Sequence, residues 1–446
     1  MNHLVGHNII SPTQYAFRPH SSTTLALQTI IDKIMKHKSG RTPTLAIYID
    51  LSKAYDTISH EKLIHKLETE FNFTPPTLAY FKSYFQNRHQ SLHTQNAKSK
   101  TQVITHGIPQ GSTLSTTFFL LYINNIIHTV PDSKVYTYAD DTTLIITADT
   151  MQDLEKIAQS ELNNLIHYFH RNNLVPNPTK TNYTIFYPTP DKRTTNIHLQ
   201  VNGKEIQEHK HTRLLGYMMQ DTLKHEQTVT NIIRKLQPVI QKLRYANKLL
   251  PTKNMKEQYY AQAYPHLIRD ITIWGTNKPT STYLQPLIRT QKKLIRIIMK
   301  QTPRTHTGPL MSELEILNIP NLYVLRTGIE VQAHIYPPAH TNRPEHNHNY
   351  ISTAQIHEYP TRHSQQLHHY IPNKRKQPKH SMGHITSNNT AIWNTLPLEL
   401  RIQEKANIFK KDLKRYLLEK QREELGLSKV AASKSLRPTA NRFLPF

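Results

Sequence analysis

The chain contains no cysteine. That absence excludes disulfides, thiolate zinc sites and Cys-rich zinc knuckles. Long apolar runs are missing too. None approaches the roughly 18–20 residues needed to span a bilayer, and the N-terminus has no signal-peptide core, so the chain reads as soluble and intracellular, in nucleus or cytoplasm. Acids are few against bases: 31 Asp and Glu face 56 Lys and Arg, for a formal net charge of +25. Such a surplus attracts polyanions through counterion release and electrostatic steering, with an acidic membrane surface as the other class of partner. The length of 446 residues allows about two to three domains.

Three of the scarce acids stand at strand ends. Asp50 closes the run Ala46-Ile47-Tyr48-Ile49, and Asp140 and Asp141 end Tyr138-Ala139-Asp140-Asp141 between two apolar β-type runs. Carboxylates delivered this way suit metal-dependent phosphoryl transfer, because Mg²⁺ wants near-octahedral oxygen ligands and is usually held by one or two carboxylates plus substrate phosphates. In a two-metal site the ions lie about 3.5–4 Å apart and stabilise the attacking and leaving oxygens. Asp50 and Asp140 are the natural bridging pair, with Asp141 the weaker ligand. An ordinary Asp-containing turn is the competing reading of the same residues.

The periodicity places these residues on elements. Ser21 to Thr24 precede Leu25, Leu27, Ile30, Ile31, Ile34 and Met35, the spacing of a capped amphipathic helix. Thr44 to Asp50 reads as a strand buried on one side, presenting Asp50 toward a solvent-filled cleft. Helices follow from Ser59 and from Pro75-Pro76, and Leu114 to Ile127 reads as one strongly apolar helix. Val135 to Tyr138 and Thr143 to Ile146 read as strands with the Asp pair at the connecting tip. Asn202-Gly203 signals a two-residue hairpin, and beyond Thr222 the pattern is mostly helical.

The acids also belong to an ordered series. Gln14-Tyr15-Ala16-Phe17-Arg18 with Ser22-Thr23 comes first, followed by Asp50-Leu51-Ser52-Lys53-Ala54-Tyr55-Asp56 and Gly107-Ile108-Pro109-Gln110-Gly111-Ser112. The Tyr138–Asp141 box comes next, then Asn177-Pro178-Thr179-Lys180-Thr181 and Leu214-Leu215-Gly216-Tyr217. Together these resemble the reverse transcriptase domain of non-LTR (LINE-type, Jockey-like) retrotransposons over about the first half of the chain. Ala391-Ile392-Trp393-Asn394-Thr395-Leu396-Pro397 resembles, less specifically, the region after the polymerase in such elements.

The resemblance implies an RNA-directed DNA polymerase that joins a dNTP to a DNA primer 3′-OH on an RNA template. Asp50, Asp140 and Asp141 would hold Mg²⁺, or Mn²⁺ in its place, and Lys180 would serve the departing pyrophosphate. Arg18, Leu51, Tyr55, Gln110 and Gly111 would surround the nucleotide, and Leu215-Gly216-Tyr217 would form the primer grip. Tyr55 would wall off the sugar 2′-carbon, against the alternative of a core Tyr under the sheet. Arg18 would pair with the triphosphate, against the alternative of a fingers-surface Arg.

The implied fold is α+β: a right-hand polymerase palm with partial fingers over residues 1–220, then a helical thumb or connection over 221–335 bearing Lys235, Lys242 and Arg244. A polar His- and Pro-rich linker over 336–390 and a C-terminal helical segment over 391–446 complete the expected organisation. In the linker, His346, His348, His363, His368 and His369 lack the spacing of a zinc site, and Lys374-Arg375-Lys376 is a weak nuclear-localisation patch. Ala16 stands where the family has Gly, and Ser115-Thr116 where it has Ser-Pro. The chain starts just before its first box, which reads as an N-terminally incomplete piece of a longer open reading frame. The rival reading of function is a catalytically silent relic that only binds RNA or RNA/DNA duplex.

Overall fold

The computed structural model describes residues 2–7, 9–131, 133–188, 197–337, 350, 366–367 and 385–426. They form two compact units. The first comprises Met1–Val229, Thr272–Trp274 and Glu330–Leu396, and the second Thr230–Ile271, Gly275–Ile329 and Pro397–Phe446. The chain thus passes between units several times. The five histidines and the Lys374-Arg375-Lys376 patch of the expected linker lie outside the described residues.

The first unit is built on six strands: Thr44–Ile49 (β1), Lys134–Tyr138 (β2), Asp141–Thr147 (β3), Asn182–Phe186 (β4), Leu199–Val201 (β5) and Lys204–Glu208 (β6). Their spatial order is β2-β3-β1-β4-β6-β5. β1 runs antiparallel to β3, Thr44 opposite Thr147 through Ile49 opposite Thr142, and antiparallel to β4 on its other side. At the two ends of the sheet stand two hairpins, β2–β3 and β5–β6.

β1 is rich in β-branched and aromatic residues, which suits a central strand. All six of its positions are buried, so the expected one-sided strand is in fact covered on both faces. Leu45, Ile47 and Ile49 join Leu154, Leu162 and Leu165 of the helix Met151–Arg171 in the main core. On the opposite face Tyr136 and Thr143 meet Ala26 and Ile30 of the helix Thr23–Ser39. That helix begins where the sequence places it, with the Ser22 hydroxyl accepting from the Leu25 N–H at 3.1 Å.

The apolar helix ends at Ile123 and continues as a 3₁₀ turn over Asn124–Thr129. Asn124 supplies a reason for the change. Its side chain accepts from Ser11 N (2.8 Å) and donates to Ile9 O (2.8 Å), binding the N-terminal loop at the point where the helix tightens. The Trp-Asn motif is structural in the same unit. Trp393 is buried in the helix Ile385–Thr395, and the Asn394 amide brackets Leu367, accepting from its N–H and donating to its carbonyl, both at 2.9 Å. Ile385 N donates to Asp32 on the Thr23–Ser39 helix at 3.0 Å, so this late segment anchors onto an early one.

The second unit is helical among its described residues. Gln291, fully buried on the helix Gln285–Ile298, donates to Leu317 O (2.9 Å) and accepts from Ile319 N (3.1 Å). Lys242 and Arg244 are exposed there. Among the described residues no helix is long and apolar enough to cross a membrane.

Candidate active site

The sheet itself gathers the acids. Ile49 opposes Thr142 in the β1–β3 register, so one further step sets Asp50 across from Asp141. Tyr138 pairs with Asp141, leaving Ala139-Asp140 as a two-residue turn. Asp141 is therefore the first residue of β3, where the sequence reading had it in the connecting tip. Its carboxyl is pushed up to about 6, first by burial and then by the charges of Asp140 and Asp50. The charges of Asp140 and Asp50 thus both bear on the Asp141 carboxyl.

The Asn177–Thr181 turn docks on Asp50. Asn177 N donates to Asp50 O (2.8 Å), and Asp50 N donates to Thr181 Oγ1 (3.4 Å). Lys180 Nζ lies 3.5 Å from Asp50 Oδ2, with the lysine side chain 67% exposed and the aspartate 36%. That Oδ2 is shielded from water yet accepts no hydrogen bond, so its only compensation is the nearby ammonium charge. Among the described residues no group of three or more His, Asp or Glu is arranged as a ready metal cage. Mg²⁺ does not need one. An undonated Asp50 oxygen, together with an Asp141 carboxyl raised by burial and then by the charges of Asp140 and Asp50, is a donor set that a divalent cation would satisfy.

Two loops dock around Tyr55 and Asp56. Gly107 N donates to Ile58 O (2.7 Å), Ile108 N to Tyr55 O (2.9 Å), and Gln110 Nε2 to Asp56 Oδ1 (3.3 Å). Gly107 sits at φ 87, and a Cβ there would stand 3.0 Å from Asp56 O, so the approach requires glycine. Asp56 is a partner of Gln110 that sequence reasoning left without a role, although it closes the same box as Asp50. Gly111, at φ 84, is exposed with open space around it. Tyr55 stacks on Phe119 at 4.5 Å and 11°, and its hydroxyl is pushed up to about 12 by burial and then by the charge of Asp140. The ring thus touches the core while its hydroxyl feels the acids.

Two residues are placed differently from expectation. Leu51 is buried in the core, and its two-residue strand with Ser52 pairs with Val175–Pro176, so its side chain is held in the packing. Arg18 is buried too. Its Nη1 donates to Ser11 O (2.6 Å) and Gln14 O (3.2 Å), and burial lowers its pKa. The guanidinium is committed to its own loop because two carbonyls there offset its desolvation, and it does not stand free to receive a triphosphate.

The hairpin His211–Leu214 and Tyr217–Gln220 turns at Leu215 and Gly216, with φ 49 and 87. Leu214 and Leu215 line a small cleft with Tyr138 and Asp141, so this hairpin reaches the acidic end of the sheet. Thr212 Oγ1 donates to Asn182 Oδ1 on β4 at 2.8 Å, fixing its base. Tyr217 bonds through its hydroxyl to His225 Nδ1 at 2.6 Å. Burial pushes His225 down to about 3, which keeps the imidazole neutral and able to accept from the phenol. No sequence signal pointed to His225, since a lone His after a strand carries no pattern.

Residues 1–219 match the family model described as reverse transcriptase (RNA-dependent DNA polymerase). The chain is 26% identical over 278 residues to the probable RNA-directed DNA polymerase from transposon BS of Drosophila melanogaster, covering 60% of this chain and 30% of that protein. It is 23% identical over 227 residues to the RNA-directed DNA polymerase from mobile element jockey of the same species, covering 49% and 24%. The chain therefore spans between about a quarter and a third of the length of these relatives. Among solved structures it is similar to apo telomerase from Candida tropicalis, with a TM-score of 0.35 and 10% identity over 70% of this chain and 57% of that one. The family match falls on the segment that carries the sheet and its acids, so residues 1–219 are a reverse transcriptase domain, similar to the polymerases of the mobile elements BS and jockey.

Proposed function

We propose that the chain performs RNA-directed DNA synthesis, adding dNTPs to a DNA primer along an RNA template. The observation that supports this most is the β1–β3 register, which pairs Ile49 with Thr142 and so puts the end carrying Asp50 next to the end carrying Asp140 and Asp141. Mg²⁺, or Mn²⁺ in its place, held by Asp50 and Asp140 with Asp141 in support, would supply charge stabilisation to the attacking 3′-oxygen and the leaving pyrophosphate.

The chain's own residues do the rest. Lys180 is long, exposed and only electrostatically engaged, so it is free to leave Asp50 and offset the charge that builds on pyrophosphate. Tyr55, stiffened by Phe119, bounds the sugar so that a 2′-hydroxyl would clash or lose its water without gaining a partner. Gln110, steadied by Asp56, offers its amide to the nucleotide, and the Leu215-Gly216 turn sets the primer end near Asp141. Arg18 takes no part at the phosphates in this scheme.

The test is primer extension on an RNA template in Mg²⁺ with wild type and Asp140→Asn, alongside duplex binding. Asn keeps the shape and removes the charge, so extension should fall by at least about a hundredfold while binding persists. Equal extension by both proteins contradicts the catalytic assignment. Binding without extension in either Mg²⁺ or Mn²⁺ supports the silent relic instead.

A further inference from the structure

Ala139 occupies the left-handed region at φ 56 without being glycine, at the first central position of the turn that carries Asp140. An L-residue gains nothing locally from that conformation, so something outside the turn must hold it. The holding group is Gln14. Its side-chain Oε1 accepts from Ala139 N at 3.2 Å and from Ala16 N at 2.9 Å. Only the carbonyl end of the amide can accept from two N–H groups, so the orientation of the side chain is fixed by its partners. Gln14 is 2% exposed, and its Nε2 has no hydrogen-bond partner. A buried amide that leaves one end unsatisfied carries a cost that the bonds at the other end must outweigh.

The loop around Gln14 is itself immobilised from three directions. Gln14 bridges to Thr137 on β2, with Tyr15 N donating to Thr137 O (2.9 Å) and Thr137 N to Thr13 O (3.0 Å). Arg18 holds the Gln14 carbonyl, and Asn124 holds the loop at Ile9 and Ser11. The acid-bearing turn is thus fastened to its strand by a segment far away in sequence.

We infer that Gln14 is a positioning residue for Asp140, clamping the Ala139 amide so that the turn keeps its strained form, and that Arg18 acts behind it by fixing the Gln14 backbone. This rests on the polymerase reading, because only a reacting centre makes the exact place of Asp140 matter. It also gives the buried Arg18 an occupation. Misplacing a reacting group by about 1 Å can cost on the order of a hundredfold in rate, so a clamp of two hydrogen bonds is enough to matter.

The experiment uses the full chain with Gln14→Met, which keeps length and removes the acceptor, and Gln14→Glu, which keeps an acceptor oxygen. Hydrogen exchange at the Ala139 amide, steady-state kinetics of primer extension and melting temperature are measured on each. In Gln14→Met the Ala139 amide should exchange roughly tenfold faster and kcat should fall about ten- to a hundredfold, with KM for dNTP nearly unchanged and a melting temperature that falls but stays well above the assay temperature. Gln14→Glu should keep the Ala139 amide protected. Unchanged exchange in Gln14→Met overturns the clamp, as does a rate loss fully explained by a lower melting temperature. Exchange in Gln14→Glu as fast as in Gln14→Met also overturns it. Should wild type extend no primer at all, the polymerase reading fails, while the exchange arms still decide whether Gln14 holds the turn.

Discussion

The two edge hairpins of the palm sheet have turns of equal length and opposite logic. The β5–β6 turn is Asn202-Gly203, at φ 52 and 74, residues that adopt the left-handed region readily. The β2–β3 turn is Ala139-Asp140, with an alanine at φ 56. The first closes on its own chemistry. The second is held from outside, through Gln14 and through the pairing of β3 with both neighbours.

The strongest way to sharpen this contrast is to remove the packing that the acidic end shares with the core. Tyr55→Ala deletes a ring stacked on Phe119, and should destabilise the first unit by about 3 kcal/mol. If the ring also bounds the sugar, the same variant should incorporate rNTPs more readily relative to dNTPs. The ratio and the melting temperature are both measured. A large stability loss with an unchanged ratio would reduce Tyr55 to a core residue.

The turns themselves make a paired prediction of smaller size. Gly203→Ala places an L-residue at φ 74 in open space, so only backbone strain is added, and stability should fall by about 1–2 kcal/mol with activity kept. Ala139→Gly relieves the same strain at the other edge. It should stabilise by at most about 1 kcal/mol, since glycine also loses more entropy on folding. Denaturant melts read both. Changes of the same sign would break the contrast.

The smallest effect is in pH. Asp141 has its folded pKa raised from 3.8 to about 6, so its protonated form is favoured on folding. The resulting stabilisation is complete below about pH 4 and is lost as pH rises through about 6. Without metal, wild type should therefore lose stability across that window more steeply than Asp141→Asn, and Mg²⁺ should reduce the difference between the two slopes. Equal slopes in the two proteins would show that Asp141 stands apart from the other acids.

What was legible in the sequence was what local chemistry decides. Asn202-Gly203 names its turn, the polar run Ser21 to Thr24 announces a capped helix, and the run before Asp50 names a strand. The order of the boxes pointed to the family that the comparisons show. What was not legible depends on distant partners. Asp141 belongs to a strand because Ile49 and Thr142 pair across the sheet, and no local propensity says so. Arg18 turns inward because Ser11 and Gln14 offer carbonyls, and the bracket of Asn394 on Leu367 joins residues with no shared motif. Asp56 lay in plain view within a quoted box, but its bond to Gln110 needed the two loops to be docked.

The central claim is that Asp50, Asp140 and Asp141 form one metal-binding centre on this sheet. Its most direct test is a crystal structure of the full chain with primer, RNA template, a non-hydrolysable dNTP and Mn²⁺, read by anomalous scattering. Two Mn²⁺ peaks about 3.5–4 Å apart, bridged by Asp50 and Asp140 with Lys180 drawn away from Asp50, are expected. Peaks elsewhere, or Asp50 and Asp140 carboxylates on the order of 10 Å apart or more against that ion spacing, would contradict it.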